Sequence, residues 1–182
     1  MAREQRKPFD FYPTPISVVT AMIDRFLSLK ECPVNTVWEP CSGDGRIATE
    51  LRRAGIDVIE TDIMSGEDFF AFDTVLSSVV ITNPPFKHIR EFIDHAFSIG
   101  VTDMALVCNE RLWACNKGQD QFKRHKPDIF ANMSWREDYL GKGGSPDRAL
   151  AVAIWLTSQQ NHHCEYEIWS RPDGKKHETA TT

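Results

Sequence analysis

The sequence has no apolar run long enough to cross a bilayer as a helix, which excludes a helical membrane protein. It has no CxxC pair. Its five cysteines, Cys32, Cys41, Cys108, Cys115 and Cys164, are scattered, which argues for reduced thiols and against a disulfide frame or a zinc ribbon. His162-His163-Cys164 lacks a companion acid or cysteine at ligand spacing, so no metal is expected. A basic excess is also missing: 21 Lys and Arg against 26 Asp and Glu leave a net charge of −5. That balance counts against a protein gripping duplex DNA over a broad basic face, but not against a local basic patch. There is no apolar leader at the N-terminus, so the expected location is the cytoplasm. Internal repeats and low-complexity tracts are absent as well.

What remains is an ordinary globular composition, 41% hydrophobic and 26% charged over 182 residues. It predicts a flexible arm over residues 1–9, one domain over 10–170 and a polar, disordered tail over 171–182. Short apolar runs alternate with helical patterns. Strands are predicted at Thr36-Val37-Trp38, Asp57 to Thr61, Val79 to Thr82, Met104 to Cys108, Ile129 to Trp135, Arg148 to Leu156 and, at an edge, Glu165 to Trp169. Helices are predicted up to about Leu29, over Arg46 to Ala54 and over Ile89 to Ile99. The alternation implies a mostly parallel α/β sheet with helices on both faces.

The chain is organised around Asn83-Pro84-Pro85-Phe86, at the exit of the strand Val79-Val80-Ile81-Thr82. Two prolines end the ladder and fix φ at both positions. They stiffen a corner that presents an amide, a carbonyl and an aromatic ring, at the sheet end where open α/β folds bind ligands. The Asn83 side-chain oxygen and the Pro84 carbonyl are both acceptors for an NH2 group. Two acceptors at one nucleobase amine favour a pyramidal nitrogen with an available lone pair, while Phe86 stacks on the base. The bland alternative is a rigid βα turn.

Glu39-Pro40-Cys41-Ser42-Gly43-Asp44-Gly45 follows the first strand and opens a helix, a cofactor-cradling arrangement. Gly43, Gly45 and Ala48 also fit the dinucleotide pattern G-x-G-x-x-A, so NAD enters as an alternative. Glu39 favours a ligand with an ammonium, such as S-adenosylmethionine, over a pyrophosphate. Asp62 ends the second strand, where a carboxylate takes ribose hydroxyls; Glu60 is a rival that strand alternation turns away. Asp68-Phe69-Phe70 offers a carboxylate and aromatics for an adenine, with at least one of Phe69, Phe70 and Phe72 expected in the core. Tyr12-Pro13-Thr14-Pro15 reads as a stiff helix lead-in or as a backbone clamp on a small molecule. Lys117, Lys123, Arg124 and Lys126 lie on a surface helix or loop, read as a solvated face or as phosphate contacts. Lys142, in a glycine-rich loop from Gly141 to Pro146, is a further candidate for nucleic-acid contact.

With these residues in view, the chain resembles the class I S-adenosylmethionine-dependent amino-methyltransferases, and among them the DNA adenine N6-methyltransferases. The resemblance rests on four segments in order: Phe11 to Pro15, Glu39 to Gly45, Asp68 to Phe70 and Asn83 to Phe86. It implies a Rossmann-like, seven-stranded, mostly parallel sheet with an antiparallel strand near the C-terminus. It implies S-adenosylmethionine held by Pro13, Thr14, Glu39, Cys41, Gly43, Asp62, Asp68, Phe69 and Asn83. Asn83, Pro84, Pro85 and Phe86 would then form the catalytic corner for direct displacement on a flipped adenine. Three features depart from the family: Phe86 stands where tyrosine is usual, Asp62 and Asp68 are close in sequence, and little chain follows Leu156. DNA is favoured over RNA as acceptor, with a recognition subunit as a possible partner. A protein glutamine amide and a non-catalytic cofactor-binding subunit are the alternatives.

Overall fold

The order of elements is α1 (Ile16–Ser28), β1 (Thr36–Glu39), α2 (Arg46–Arg53), β2 (Asp57–Glu60), β3 (Val79–Thr82), α3 (Ile89–Ile99), β4 (Asp103–Asn109), α4 (Asn116–Arg124), β5 (Ile129–Met133), β6 (Leu150–Trp155) and β7 (Glu165–Trp169). The computed structural model describes residues 13–135, 149–157 and 163–172. The predicted arm, Phe11, Tyr12, residues 141–146 with Lys142, His162 and the tail beyond 172 lie outside the described residues.

The seven strands form one sheet in the order β2-β1-β3-β4-β6-β5-β7. Strand β6 runs antiparallel to β4 and β5, and every other neighbouring pair is parallel. This is the mostly parallel architecture expected, with its antiparallel strand near the C-terminus. Alternation along the strands divides the core into two layers. Val37, Ile81, Ala105, Val107, Val152 and Ile154 face α1 and α2. Trp38, Val80, Met104, Leu106, Ala151 and Ala153 face α3. Strands buried on both faces must be apolar throughout, which is why β4 and β6 were legible as continuous runs.

Each helix turns an apolar stripe to its layer. In α1, Val18, Val19, Met22, Ile23 and Phe26 are buried, and in α3 the set is Ile89, Phe92, Ile93 and Ala96. These spacings of three and four keep one face on the sheet. Pro15 precedes α1, and its carbonyl accepts from Val18 N–H and Val19 N–H at 3.0 Å. The ladder of β5 stops at Met133, two residues before the predicted end. Trp135 leaves it and donates its indole N–H to Ser17 Oγ at 3.1 Å.

Topology fixes where a ligand can enter. From β1 the chain crosses to β2 on one side and then to β3 on the other. The strand order therefore reverses between β1 and β3, and the connections leaving their carboxyl ends part there. A crevice at such a switch point is the usual ligand site of open α/β sheets.

Candidate active site

The crevice is a cleft of about 810 Å³. Its walls include Pro13, Thr14, Glu39, Cys41, Gly43, Asp62, Asp68, Phe69, Asn83, Pro84, Pro85 and Phe86, so all twelve cofactor and catalytic candidates converge on one space. The basic candidates do not join them. Lys117, Lys123 and Arg124 lie exposed on α4, and Lys126 is exposed just beyond it. Arg124 is paired with Asp94 at 3.2 Å.

The glycine loop is strapped to the second strand. Gly43 N–H donates to Asp62 Oδ2 at 2.9 Å, and Ser42 N–H donates to the Thr61 carbonyl at 3.2 Å. Gly45 sits at φ 74°, a left-handed conformation that a side chain disfavours, immediately before α2. Asp62 Oδ1 accepts from Met64 N–H at 2.7 Å and caps a single 3-10 turn, Ile63–Ser65. Both carboxylate oxygens thus hold backbone. A carboxylate has about four acceptor positions, so two remain for hydroxyl donors. Glu60 points the other way, to Arg52 at 2.6 Å, as strand alternation required.

Glu39 is the least compensated group in the cleft. It is 1% exposed, and its Oε2 is buried with no hydrogen-bond partner among the described residues. Burial, with Glu60 nearby, pushes its carboxyl up to about 9, against the pull of the Ala48 amide. Glu39 is also among the residues that line the cleft, so a buried acid with an orphaned oxygen stands in its wall. Burial likewise pushes the Cys41 thiol up to about 12, with Asp62 adding to the shift, so Cys41 is a thiol and not a nucleophile.

Thr14 joins the two halves of the site. It is buried, and its hydroxyl accepts from Asn83 Nδ2 at 2.9 Å. Its carbonyl accepts from Arg46 Nη1 at 3.3 Å, and Arg46 is paired with Asp44 at 2.7 Å. With Nδ2 engaged, Oδ1 is the acceptor end of the Asn83 amide. The Pro85 carbonyl accepts from His88 N–H at 2.9 Å, which locks the turn into α3.

The two neighbouring phenylalanines part company. Asp68 Oδ1 accepts from Phe70 N–H at 3.0 Å and caps a second 3-10 turn, Phe69–Ala71. Phe69 is 4% exposed, and its ring stacks on Phe92 with centroids 4.1 Å apart. Phe70 is 43% exposed at the cleft wall. The open aromatic face is therefore that of Phe70, and Phe69 contributes backbone and core. His95 Nε2 lies 3.2 Å from the Phe69 carbonyl and fixes the turn from behind. Sequence reasoning missed Arg46, Ile63 and Met64 as lining groups, and it assigned Phe69 the place by the adenine that the exposed ring of Phe70 occupies. Ile63-Met64 carried a signal, being an apolar pair just past a strand tip with no partner in the helical or strand pattern.

No protein-family model matches the sequence, and no curated protein matches it. Solved structures do match. The methyltransferase subunit of a type I restriction-modification system from Streptococcus thermophilus is 12% identical over 86% of this chain and 47% of its own, with a TM-score of 0.63. The fold is that of class I methyltransferases. A putative class I S-adenosylmethionine-dependent methyltransferase from Listeria monocytogenes is 12% identical over 87% of this chain and 65% of its own, with a TM-score of 0.59. A putative RNA methyltransferase from Pyrococcus horikoshii is 18% identical over 81% of this chain and 85% of its own, with a TM-score of 0.58. The chain thus spans about half the length of the first of these and about two thirds of the second. Among the described residues no group of His, Cys, Asp and Glu is arranged to hold a metal, and no helix is long and apolar enough to cross a membrane.

Proposed function

We propose that the protein transfers the methyl group of S-adenosylmethionine to the exocyclic N6 amine of adenine in a nucleic acid, with DNA the favoured acceptor. The observation that carries this reading is the convergence of the Asn83 corner and the Glu39 loop on one cleft at the strand switch. Its residues suit that cofactor. The orphaned Glu39 carboxyl receives the ammonium of the methionine part, the spare acceptor positions of Asp62 take ribose hydroxyls, and Asp68 with the Phe70 ring flanks an adenine. A pyrophosphate would meet Asp44 and Asp62 together, which disfavours the dinucleotide alternative. When bound, S-adenosylmethionine supplies an electrophilic methyl on a sulfonium.

The rest is done by the chain itself. Asn83 Oδ1 and the Pro84 carbonyl accept from the two N–H bonds of the target amine and hold its lone pair out of conjugation. Phe86 stacks on the base, and the cleft excludes water from the line of displacement. The Thr14 hydroxyl fixes which way the Asn83 amide faces. The amine loses its proton after it has gained the methyl, so the site needs no strong base. Cys41, held as a thiol, forms no covalent intermediate.

An RNA adenine is the second reading. It is favoured by the likeness to the Pyrococcus horikoshii protein, of which this chain covers 85%. Incubation with methyl-labelled S-adenosylmethionine and separate samples of DNA, RNA and bulk protein, followed by hydrolysis to nucleosides, sorts the acceptors. Label on N6-methylated adenine from DNA is the expected result. Label on protein alone would refute the nucleobase assignment.

A further inference from the structure

Outside the cleft, the described surface has a second hollow, of about 400 Å³, lined by Trp113, Cys115, Asn116, Gln119 and Phe122. It is built with care. Gly118 brings α4 down onto the preceding loop: a Cβ there would meet the Leu112 carbonyl oxygen at 2.6 Å and Trp113 Cα at 2.9 Å. The half-buried rings of Trp113 and Phe122 meet edge to face at 5.4 Å and form the floor. The exposed amides of Asn116 and Gln119 stand over it. Lys117 and Lys123, next in sequence to Asn116 and Phe122, are exposed on the same helix. Asp120 is exposed between them, and with Arg124 the helix keeps a net positive charge in a chain whose net charge is −5.

The hollow is tied to the active site. Strand β4 runs parallel to β3, so the loop leaving Asn109 emerges at the sheet end that carries Asn83. Arg90, in the first turn of α3, donates to the Leu112 carbonyl at 2.5 Å and to Cys115 Sγ at 3.2 Å. Its own carbonyl accepts from Gln121 Nε2 at 2.7 Å. His88 and Glu91, on either side of Arg90, line the cleft. A single helical turn therefore separates the two recesses.

Aromatic faces, side-chain amides and flanking ammonium groups together recognise a nucleobase on its phosphate strand. Every base has a face to stack, and asparagine and glutamine pair with its edge. We infer that the Trp113 hollow holds a second nucleobase, a neighbour of the target on the same strand, and that Asn116 and Gln119 read it. This rests on the nucleic-acid reading above. It places part of the target recognition on α4, within the methyltransferase fold itself.

The test uses single-stranded oligonucleotides with one adenine, in which each neighbouring base is removed in turn to leave an abasic site. With the wild-type protein, loss of one particular neighbour raises the KM for methyl transfer about tenfold and leaves kcat little changed. In Trp113→Leu the KM starts high and that abasic site raises it no further. The exposed changes Asn116→Ala and Gln119→Ala, which leave folding intact, reduce the preference among bases at that position. Equal abasic penalties in wild type and Trp113→Leu, or unaltered preference in both amide variants, would overturn the inference while leaving the methyltransferase reading standing. Absence of transfer to any nucleic acid would remove both.

Discussion

The two ends of the sheet treat buried acids in opposite ways. At the amino end, Asp103 is 6% exposed and partnered on both oxygens: it meets Lys30 Nζ at 3.0 Å, Thr157 N–H at 3.0 Å and the Thr102 hydroxyl at 2.9 Å. Asp128 at the same end accepts from Leu156 N–H at 2.7 Å. At the carboxyl end, Glu39 is more deeply buried and has an oxygen with no partner among the described residues. The amino end closes its polar groups on one another and holds the strands together. The carboxyl end leaves an acid uncompensated, which costs stability in the ligand-free protein; the proposed function assigns the compensating group to the cofactor.

Breaking the contrast at the catalytic corner has the largest expected effect. Asn83→Ala lowers methyl transfer on the order of 10²–10³-fold, the scale of losing one preorganised partner of a reacting group, while cofactor affinity by calorimetry changes little. Asp103→Ala, at the opposite end, strands the largely buried Lys30. It costs about 3 kcal/mol of stability in denaturant unfolding and leaves cofactor affinity of the folded protein unchanged. Glu39→Gln keeps the shape of the side chain, which is protonated in the ligand-free protein, and removes the negative charge it would develop against a bound ammonium. Cofactor affinity falls about tenfold, with no loss of ligand-free stability.

The same pair separates with pH. Glu39 takes up a proton on folding, because its carboxyl lies near 9 in the native protein against about 4.5 in an unfolded chain. Between those values the folded form binds the extra proton, so the Glu39 contribution to stability falls as pH rises through that window. Urea midpoints of wild type should decline across it more steeply than those of Glu39→Gln. Parallel declines would show that Glu39 is not the group responsible. The smallest effect is expected from Phe70→Ala. It weakens cofactor binding about fivefold through lost stacking and barely alters stability, since the ring is exposed.

The strands were legible because burial on both faces forces unbroken apolar runs, and the Asn83 and Glu39 segments because each strand tip carries groups that a core would reject. What escaped reading depends on contacts distant in sequence. Whether Phe69 or Phe70 faces the cleft is decided by Phe92 and His95 on α3, which claim one ring and one carbonyl. The turn at Ile63–Ser65 exists because Asp62 caps it while also holding Gly43, a double duty with no local pattern. On α4 the charges were visible but not the hollow beside them. That hollow needs a tryptophan from a loop and a glycine that lets the helix descend onto it.

Calorimetric titration of the wild-type protein with S-adenosylmethionine, and separately with NAD, tests the central claim most directly. The carboxyl-end cleft, with its unpartnered acid, should bind the sulfonium cofactor at a single site and give no heat with the dinucleotide. Binding of NAD, or saturation by neither, would contradict the assignment of this cleft.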